Sequence, residues 1–255
     1  MCRWMAYTGH SVYIDKLLYE PEHSLVHQSL GARKSEVTVN ADGFGIGWYD
    51  EHDEPGLYHE VMPAWSDCNL KNLAHHIRSN LFFAHVRSST GTATNRSNCH
   101  PFSYKNWLFM HNGQIGGYDT LRWHLDRLIP EHLYPFRCGA TDSELIFLLM
   151  IANGLETDIH QAVTTTLKQT EDLMDKHEIV EPLRFASTLS DGKTLTVMRY
   201  SSDDQSPTVF SKLFEQHIVV GSEPLELSGD GWILMPEGHI ATLVPTQPFN
   251  STPLF

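Results

Sequence analysis

The sequence predicts an α+β fold, and three features carry that reading. Short apolar stretches broken by glycine-containing turns dominate up to Gly113, helical spacing dominates from Tyr118 to Lys176, and strand-like stretches return from Arg184 onward. Elements segregated in this way, rather than alternating strand and helix, mark an α+β chain. The composition permits it, since 41% hydrophobic and 19% charged residues are ordinary globular values and 255 residues can bury a sizeable core. No repeat, low-complexity tract or linker interrupts the chain, so residues 1–255 are expected to form one domain.

Cys2–Tyr7 reads as a first strand, closed by Thr8-Gly9. Val12–Tyr19 is apolar with mixed period, and Pro21 limits the element it forms. Ser24–Leu30 leads into a polar loop, Gly31–Asp42. In Gly43–Tyr49 glycine alternates with large residues, which makes a strand with one nearly bare face. That face suits either a ligand or another packed element, the second being the simpler expectation; the spacing is not that of a phosphate loop. Leu57–Met62 follows the turn Glu54-Pro55-Gly56 as a partner strand. Leu70, Leu73, Ala74 and Ile77 have helical spacing behind a cap at Asp67 or Asn69. Leu81–Arg87 is a buried-strand pattern ending in a cation, and Trp107–His111 is a further strand that stops at Asn112-Gly113. Tyr118–Leu128 is helical, Thr141 or Asp142 caps a helix through Leu145–Ile151, and Ile159–Lys176 is an amphipathic helix. The closing strands are Arg184–Leu189, Leu195–Tyr200, Ile218–Gly221, Trp232–Met235 and Ile240–Val244.

Charge and cysteine usage exclude several functions. A formal net charge of -13, with no basic run, argues against nucleic acid or an anionic membrane as partner. No apolar stretch is long enough to span a bilayer, and the first residues lack a secretory signal. Cys2, Cys68, Cys99 and Cys138 show no CxxC spacing, so reduced thiols in a cytoplasm are expected. Sixteen histidines invite a metal, yet no HExxH or Cys/His ligand set occurs, and the adjacent His75 and His76 diverge on a helix. No metal is expected.

Four places carry chemistry. Cys2 follows the initiator methionine, and a small residue there normally lets Met1 be removed. The product would carry a thiol and a free α-amine, which titrates near ~7.7–8.0 and can serve as the base a thiol needs. The alternative is a buried cysteine in a first strand. Arg87 is either a salt-bridge partner or a forked grip on a carboxylate, and Ser88-Ser89-Thr90-Gly91-Thr92 behind it suits a loop around a polar ligand. Asn112-Gly113 is either a type I′ turn or an amide and N–H donor pair for an oxyanion, and the helical rather than returning stretch that follows favours the second. Asp142 is either a helix cap or a free anion.

Taken in order, Cys2, Ala84-His85-Val86-Arg87 with Thr90-Gly91, His100-Pro101, His111-Asn112-Gly113 and Thr141-Asp142-Ser143-Glu144 resemble the motif set of class-II glutamine amidotransferase domains. Those are N-terminal-nucleophile hydrolases with a four-layer α-β-β-α sandwich. Met1-Cys2-Arg3, Asn40–Gly47, Trp65-Ser66-Asp67 and Gly221-Ser222-Glu223-Pro224 resemble one branch more closely, the small stand-alone γ-glutamyl hydrolases of the ergothioneine pathway. The resemblance implies that Cys2 attacks the γ-carbonyl of a glutamine-like amide with its own amine as base. It implies Asn112 and Gly113 as oxyanion donors, Arg87 with Thr90 at the α-carboxylate, and Asp142 at the α-ammonium. It implies no cofactor. The larger synthases of the family carry tryptophan where this chain has Ser88, and histidine where it has Thr90, so γ-glutamyl recognition is the firmer implication and free glutamine the looser one.

The expected reaction is hydrolysis of a γ-glutamyl amide, in glutamine or a γ-glutamyl metabolite, with release of glutamate. Two alternatives stay open: a glutaminase subunit that passes ammonia to a separate synthase, and a non-catalytic binding protein that keeps the fold. The chain leaves little room for a synthase domain of its own, which favours hydrolysis, and a mere binder has no need of Cys2. A homo-oligomer and a synthase partner are both compatible with the sequence. An acylase for bile-salt or penicillin-type amides would need an apolar acyl pocket, for which Arg87 and Asp142 are the wrong chemistry.

Overall fold

The computed structural model describes residues 2–33, 39–89 and 91–255. Its first strand, β1 (Arg3–Tyr13), shows why a sheet forms at the centre. Trp4 and Ala6 belong to one apolar cluster while Met5 and Tyr7 belong to another, so alternate side chains enter opposite layers and both faces are buried. A strand with two buried faces reads as the unbroken apolar run Trp4-Met5-Ala6-Tyr7. The strand does not close at Thr8-Gly9 as the sequence had implied. Gly9 still pairs with His217, and beyond an irregularity Val12 and Tyr13 pair again with Ser79 and Arg78.

One sheet contains, in spatial order, β11 (Ile233–Leu234), β9 (Phe210–Leu213), β10 (His217–Gly221), β1, β4 (Arg78–Val86), β2 (Phe44–Trp48) and β3 (Gly56–Glu60). The other contains β13 (Thr252–Pro253), β12 (His239–Leu243), β8 (Leu195–Ser201), β7 (Arg184–Ser190), β6 (Trp107–Gln114) and β5 (Phe102–Tyr104). Every pairing between neighbours is antiparallel. Trp4, Phe83, Leu108, Met110, Val197 and Val220 fill the space between the two sheets.

Helices cover both outer faces. Over the first sheet lie α1 (Asp15–Leu18), α2 (Leu25–Leu30) and α3 (Cys68–His76), through Leu18, Leu25, Leu70 and Ala74. Over the second lie α4 (Tyr118–Asp126), α5 (Asp142–Ala152) and α6 (Ile159–Lys176). Helix α5 is apolar all round, with Leu145 to Met150 buried, because α4, α6 and the sheet surround it. The layers are therefore α-β-β-α, with one apolar cluster for each of the three interfaces. Among the described residues no helix is long and apolar enough to cross a membrane.

Caps decide two alternatives left open by the sequence. The Asp67 carboxylate, not Asn69, accepts from Leu70 N–H at the start of α3. The Thr141 hydroxyl accepts from Glu144 N–H at the start of α5, so Asp142 is the first helical residue and not the cap. The bare face of β2 is filled by chain and not by solvent: a Cβ on Gly45 would lie 2.2 Å from the His100 carbonyl oxygen, and one on Gly47 would lie 2.7 Å from Pro101 Cγ. Strand β6 passes straight through Asn112-Gly113, with Asn112 opposite Ala186 and Gly113 opposite Phe185, so there is no hairpin turn there.

A buried guanidinium holds the start of α5. Arg137, with 4% of its side chain exposed, donates to Glu144 Oε2 at 2.6 Å and to the Thr141 carbonyl at 2.8 Å. It also reaches Tyr118 Oη on α4 at 2.6 Å and Asp126 at 3.2 Å. Removing one partner of such a group leaves a desolvated charge without compensation. Arg137→Met is expected to lower the unfolding free energy by about 3 kcal/mol in urea titration, and a variant as stable as the parent would show the hub to be dispensable.

Candidate active site

The register of β1 against β4 builds one side of the site. Arg3 lies opposite Val86, so Cys2, one residue before β1, and Arg87, one residue after β4, emerge together at the same sheet end. Ser88 N–H donates to Cys2 Sγ at 3.3 Å, and the thiol faces the Ser88 carbonyl at 3.4 Å. Burial pushes the Cys2 thiol up, and the Ser88 N–H, followed by the N-terminal positive charge and then that of Arg87, opposes that rise. The thiol therefore rests protonated near neutral pH and needs a base to become a nucleophile.

Arg87 is 3% exposed. Its guanidinium donates to Thr92 Oγ1 at 2.6 Å, Ser89 Oγ at 3.2 Å and the Asp42 carbonyl at 3.4 Å. Its backbone is clamped to the loop before β2, with Arg87 N–H donating to the Gly43 carbonyl at 2.8 Å and Asp42 N–H to the Arg87 carbonyl at 3.1 Å. Among the described residues no carboxylate forms an ion pair with it. A buried cation held, among the described residues, by neutral oxygens is poised for an anion from outside the chain.

The other side comes from the second sheet. On β6, Met110 packs between the sheets and Phe109 packs toward the helices, so by alternation Asn112 points at the first sheet and His111 toward α5. Asn112 Nδ2 donates to the Cys2 carbonyl at 2.7 Å, which fixes the amide beside the sulfur and leaves its second hydrogen free of that bond. Gly113 has φ +150°, and a Cβ there would lie 1.8 Å from the Arg184 carbonyl oxygen and 2.5 Å from His111 Nε2. No other residue fits. On α5, Asp142 Oδ2 accepts from Ile115 N–H at 3.0 Å and Oδ1 from Ser143 N–H at 2.8 Å.

Cys2, Arg87, Asn112, Gly113 and Asp142 line one cleft of about 260 Å³. Thr90, expected beside Arg87, lies outside the described residues, as do Met1 and Lys34–Thr38 of the polar loop. The sequence reading placed Ser89 and Thr92 only within a loop suited to a polar ligand and gave no individual role to His100, His111 and Ser143, and all five also line the cleft. Thr92 was signalled only by the hydroxyl-rich loop, and His111 and Ser143 only by their neighbours in the motifs. Burial favours the neutral form of His100 and His111, which line the cleft, and of His85, which stacks on His100 at 4.2 Å. Burial drives His85 down to about 3, His100 well below the ordinary range, and His111 downward against the pull of the Asp142 charge. Another larger groove, lined by Leu213, Ile233, Leu243 and Phe249, contains none of these groups.

The model of the class-II glutamine amidotransferases matches residues 19–216. The chain belongs to this family. As a class-II glutamine amidotransferase it is a member of an enzyme family, and its α-β-β-α layering is that of the N-terminal-nucleophile hydrolases. A protein of Saccharomyces cerevisiae, "Probable glutamine amidotransferase DUG3", is 31% identical over 95% of this chain and 82% of its own length. The "Gamma-glutamyl-hercynylcysteine sulfoxide hydrolase" of Mycolicibacterium smegmatis is 26% identical over 94% of both chains. A solved structure from Silicibacter pomeroyi, described as a glutamine aminotransferase class-II domain protein, superposes with a TM-score of 0.78 at 35% identity, covering 98% of each chain. The family match begins after Cys2, so the geometry around the sulfur is an independent observation.

The Gly113 site makes a prediction independent of any substrate. Gly113→Ala must move both β7 and the His111 ring, and is expected to cost about 1–3 kcal/mol of stability. Chemical denaturation measures this, and an alanine variant that unfolds with the parent would show that the strand relaxes freely.

Proposed function

We propose that the protein hydrolyses γ-glutamyl amide bonds through a thioester on Cys2 and releases glutamate. One observation carries the reading: a thiol, an amide donor, a buried cation without a carboxylate partner among the described residues, and a carboxylate line the same small cleft. A cation and an anion on separate elements complement the α-carboxylate and α-ammonium of a glutamyl group. Arg87 takes the carboxylate through its fork and Asp142 takes the ammonium. Thr90 is proposed to assist at the carboxylate.

Removal of Met1 frees the amine of Cys2. The amine takes the thiol proton and sulfur attacks the γ-carbonyl. The oxyanion forms against the remaining Asn112 amide hydrogen and the Gly113 N–H. Collapse breaks the carbon–nitrogen bond as the ammonium returns its proton to the leaving nitrogen, and water then cleaves the thioester. A cleft of about 260 Å³ suits a glutamyl group and leaves the amine portion of the substrate toward solvent. The likeness to a relative named as a γ-glutamyl hydrolase, along nearly its whole length, supports a γ-glutamyl bond over ammonia delivery to a synthase. We read residues 1–255 as one catalytic domain, and its four cysteines, none in a disulfide, suit a reducing cytoplasm.

Purified protein with Met1 removed, verified by intact mass, is expected to release glutamate from γ-glutamyl peptides. Its rate should rise with pH as the α-ammonium loses its proton, because only the neutral amine can accept the thiol proton. An uncleavable N-terminal extension should abolish turnover, and Cys2→Ser should slow it by about three orders of magnitude or more. Full activity from protein that retains Met1 would rule out the mechanism. Ammonia from glutamine, appearing only when a synthase is added, would instead support the glutaminase reading.

Arg87→Lys separates forked recognition from simple charge. It is expected to lower kcat/KM for γ-glutamyl peptides about 10- to 100-fold, since one ammonium cannot span both carboxylate oxygens. An unchanged kcat/KM in steady-state assays would remove Arg87 from the substrate site.

A further inference from the structure

Asn112 and Gly113 lie between two bridges that join β6 and Ile115, just beyond its end, to the first turn of α5. The first uses His111, which is 2% exposed. His111 Nε2 lies 3.2 Å from the Arg184 carbonyl on β7, and Nδ1 lies 2.9 Å from Ser143 Oγ on α5. A carbonyl oxygen only accepts, so Nε2 carries the ring hydrogen, and Nδ1 of the neutral ring, at 2.9 Å, competes with Asp142 Oδ1, at 3.3 Å, for the single Ser143 hydroxyl hydrogen and is the shorter contact. The second bridge is Ile115 N–H donating to Asp142 Oδ2 at 3.0 Å. Consecutive residues of α5, Asp142 and Ser143, thus grip β6 on either side of the donor pair. The missing side chain of Gly113 gives the His111 ring its path to β7, since a Cβ would sit 2.5 Å from Nε2.

We propose that His111 and Ser143 are positioning residues that fix the spacing between the oxyanion donors and the ammonium-binding carboxylate. A γ-glutamyl group held by its α-ammonium at Asp142 then presents its γ-carbonyl to Asn112 and Gly113. The inference rests on the reading of the cleft given above. Neither His111 nor Ser143 is assigned a contact with substrate. Loss of their bridge also removes the longer 3.3 Å contact of Ser143 Oγ with Asp142 Oδ1, but both backbone donors to that carboxylate, Ile115 N–H and Ser143 N–H, stay in place, so binding at the α end persists while the γ-carbonyl shifts against its donors. A displacement of about 1 Å at a reacting centre costs about 100-fold in rate.

The test is steady-state glutamate release from a γ-glutamyl dipeptide by Met1-free protein, with thermal unfolding recorded for each variant. Ser143→Ala is expected to lower kcat about 10- to 100-fold while KM changes less than about threefold. Ser143→Thr retains a hydroxyl and should recover most of kcat. His111→Gln should behave like Ser143→Ala, and the double variant should be no slower than the slower single one, because both changes remove the same bridge. The proposal is overturned by wild-type kcat in Ser143→Ala, by a change confined to KM, by multiplicative losses in the double variant, or by a Ser143→Thr as slow as Ser143→Ala. If Ser143→Ala loses its cooperative unfolding transition, His111→Gln against wild type decides on the same criteria. Parent protein that releases no glutamate from any γ-glutamyl compound overturns the cleft reading and this inference with it, whereas an active parent with an unaffected Ser143→Ala overturns this inference alone.

Discussion

The antiparallel register of β1 on β4 is the constraint on which the cleft depends. With Arg3 opposite Val86, a cysteine just before one strand and an arginine just after the other must emerge side by side. The register is hard to change because both strands are buried on both faces. A slip of one residue would exchange Trp4 and Met5 between two differently shaped, close-packed layers. Burying each large apolar side chain stabilises by about 1.5–3 kcal/mol, so several misplaced at once leave no alternative of comparable energy.

Electrostatics in the cleft follow from burial as much as from residue type. His100 and His111 line the cleft, with His85 stacked on His100, and desolvation favours the neutral form of each. Arg184, which also lines the cleft, pairs with Asp203 at 2.6 Å. Arg87 and Asp142 thus supply the opposed pair of charges, one from the end of a strand and one from the start of a helix. In a partly desolvated space such charges discriminate by the penalty of leaving either unmatched. A zwitterionic amino-acid end satisfies both, which is why the proposed substrate is glutamyl and not a simple amide.

The second sheet contributes precision through close approach. Strand β6 continues past Asn112-Gly113, a dipeptide that also suits a tight turn, because β7 offers a continuous ladder from Leu108 to Gln114. Within that ladder Asn112 faces Cys2 and Gly113 permits the approach of the Arg184 carbonyl. The start of α5 is held independently, by Thr141 as cap and by Arg137 inside a shell of four partners. Helix and strand are thereby fixed before any substrate enters.

Much of this was legible from residues alone. Periods of two and of 3.6 marked most strands and the long helices, with α6 matching the expected Ile159–Lys176, since burial of one face or both leaves its pattern in consecutive residues. The ordered motifs identified Cys2, Arg87, Asn112, Gly113 and Asp142, and the structure brings all five into one cleft. Tertiary structure decided what local pattern does not encode. Phe210–Leu213 is a strand because β10 and β11 pair with it on either side, and its four residues lack a strong alternation of their own. The path of β1 beyond Gly9, the filling of the β2 glycine face by His100-Pro101, and the choice of Thr141 over Asp142 as cap each depend on a neighbour's position. The bonds of His111 span 32 residues to Ser143 and 73 to the Arg184 carbonyl. Sequence periodicity records which side of an element is buried, whereas the partner met on that side is set by sheet register and layer packing, and these exist only once the whole chain has folded.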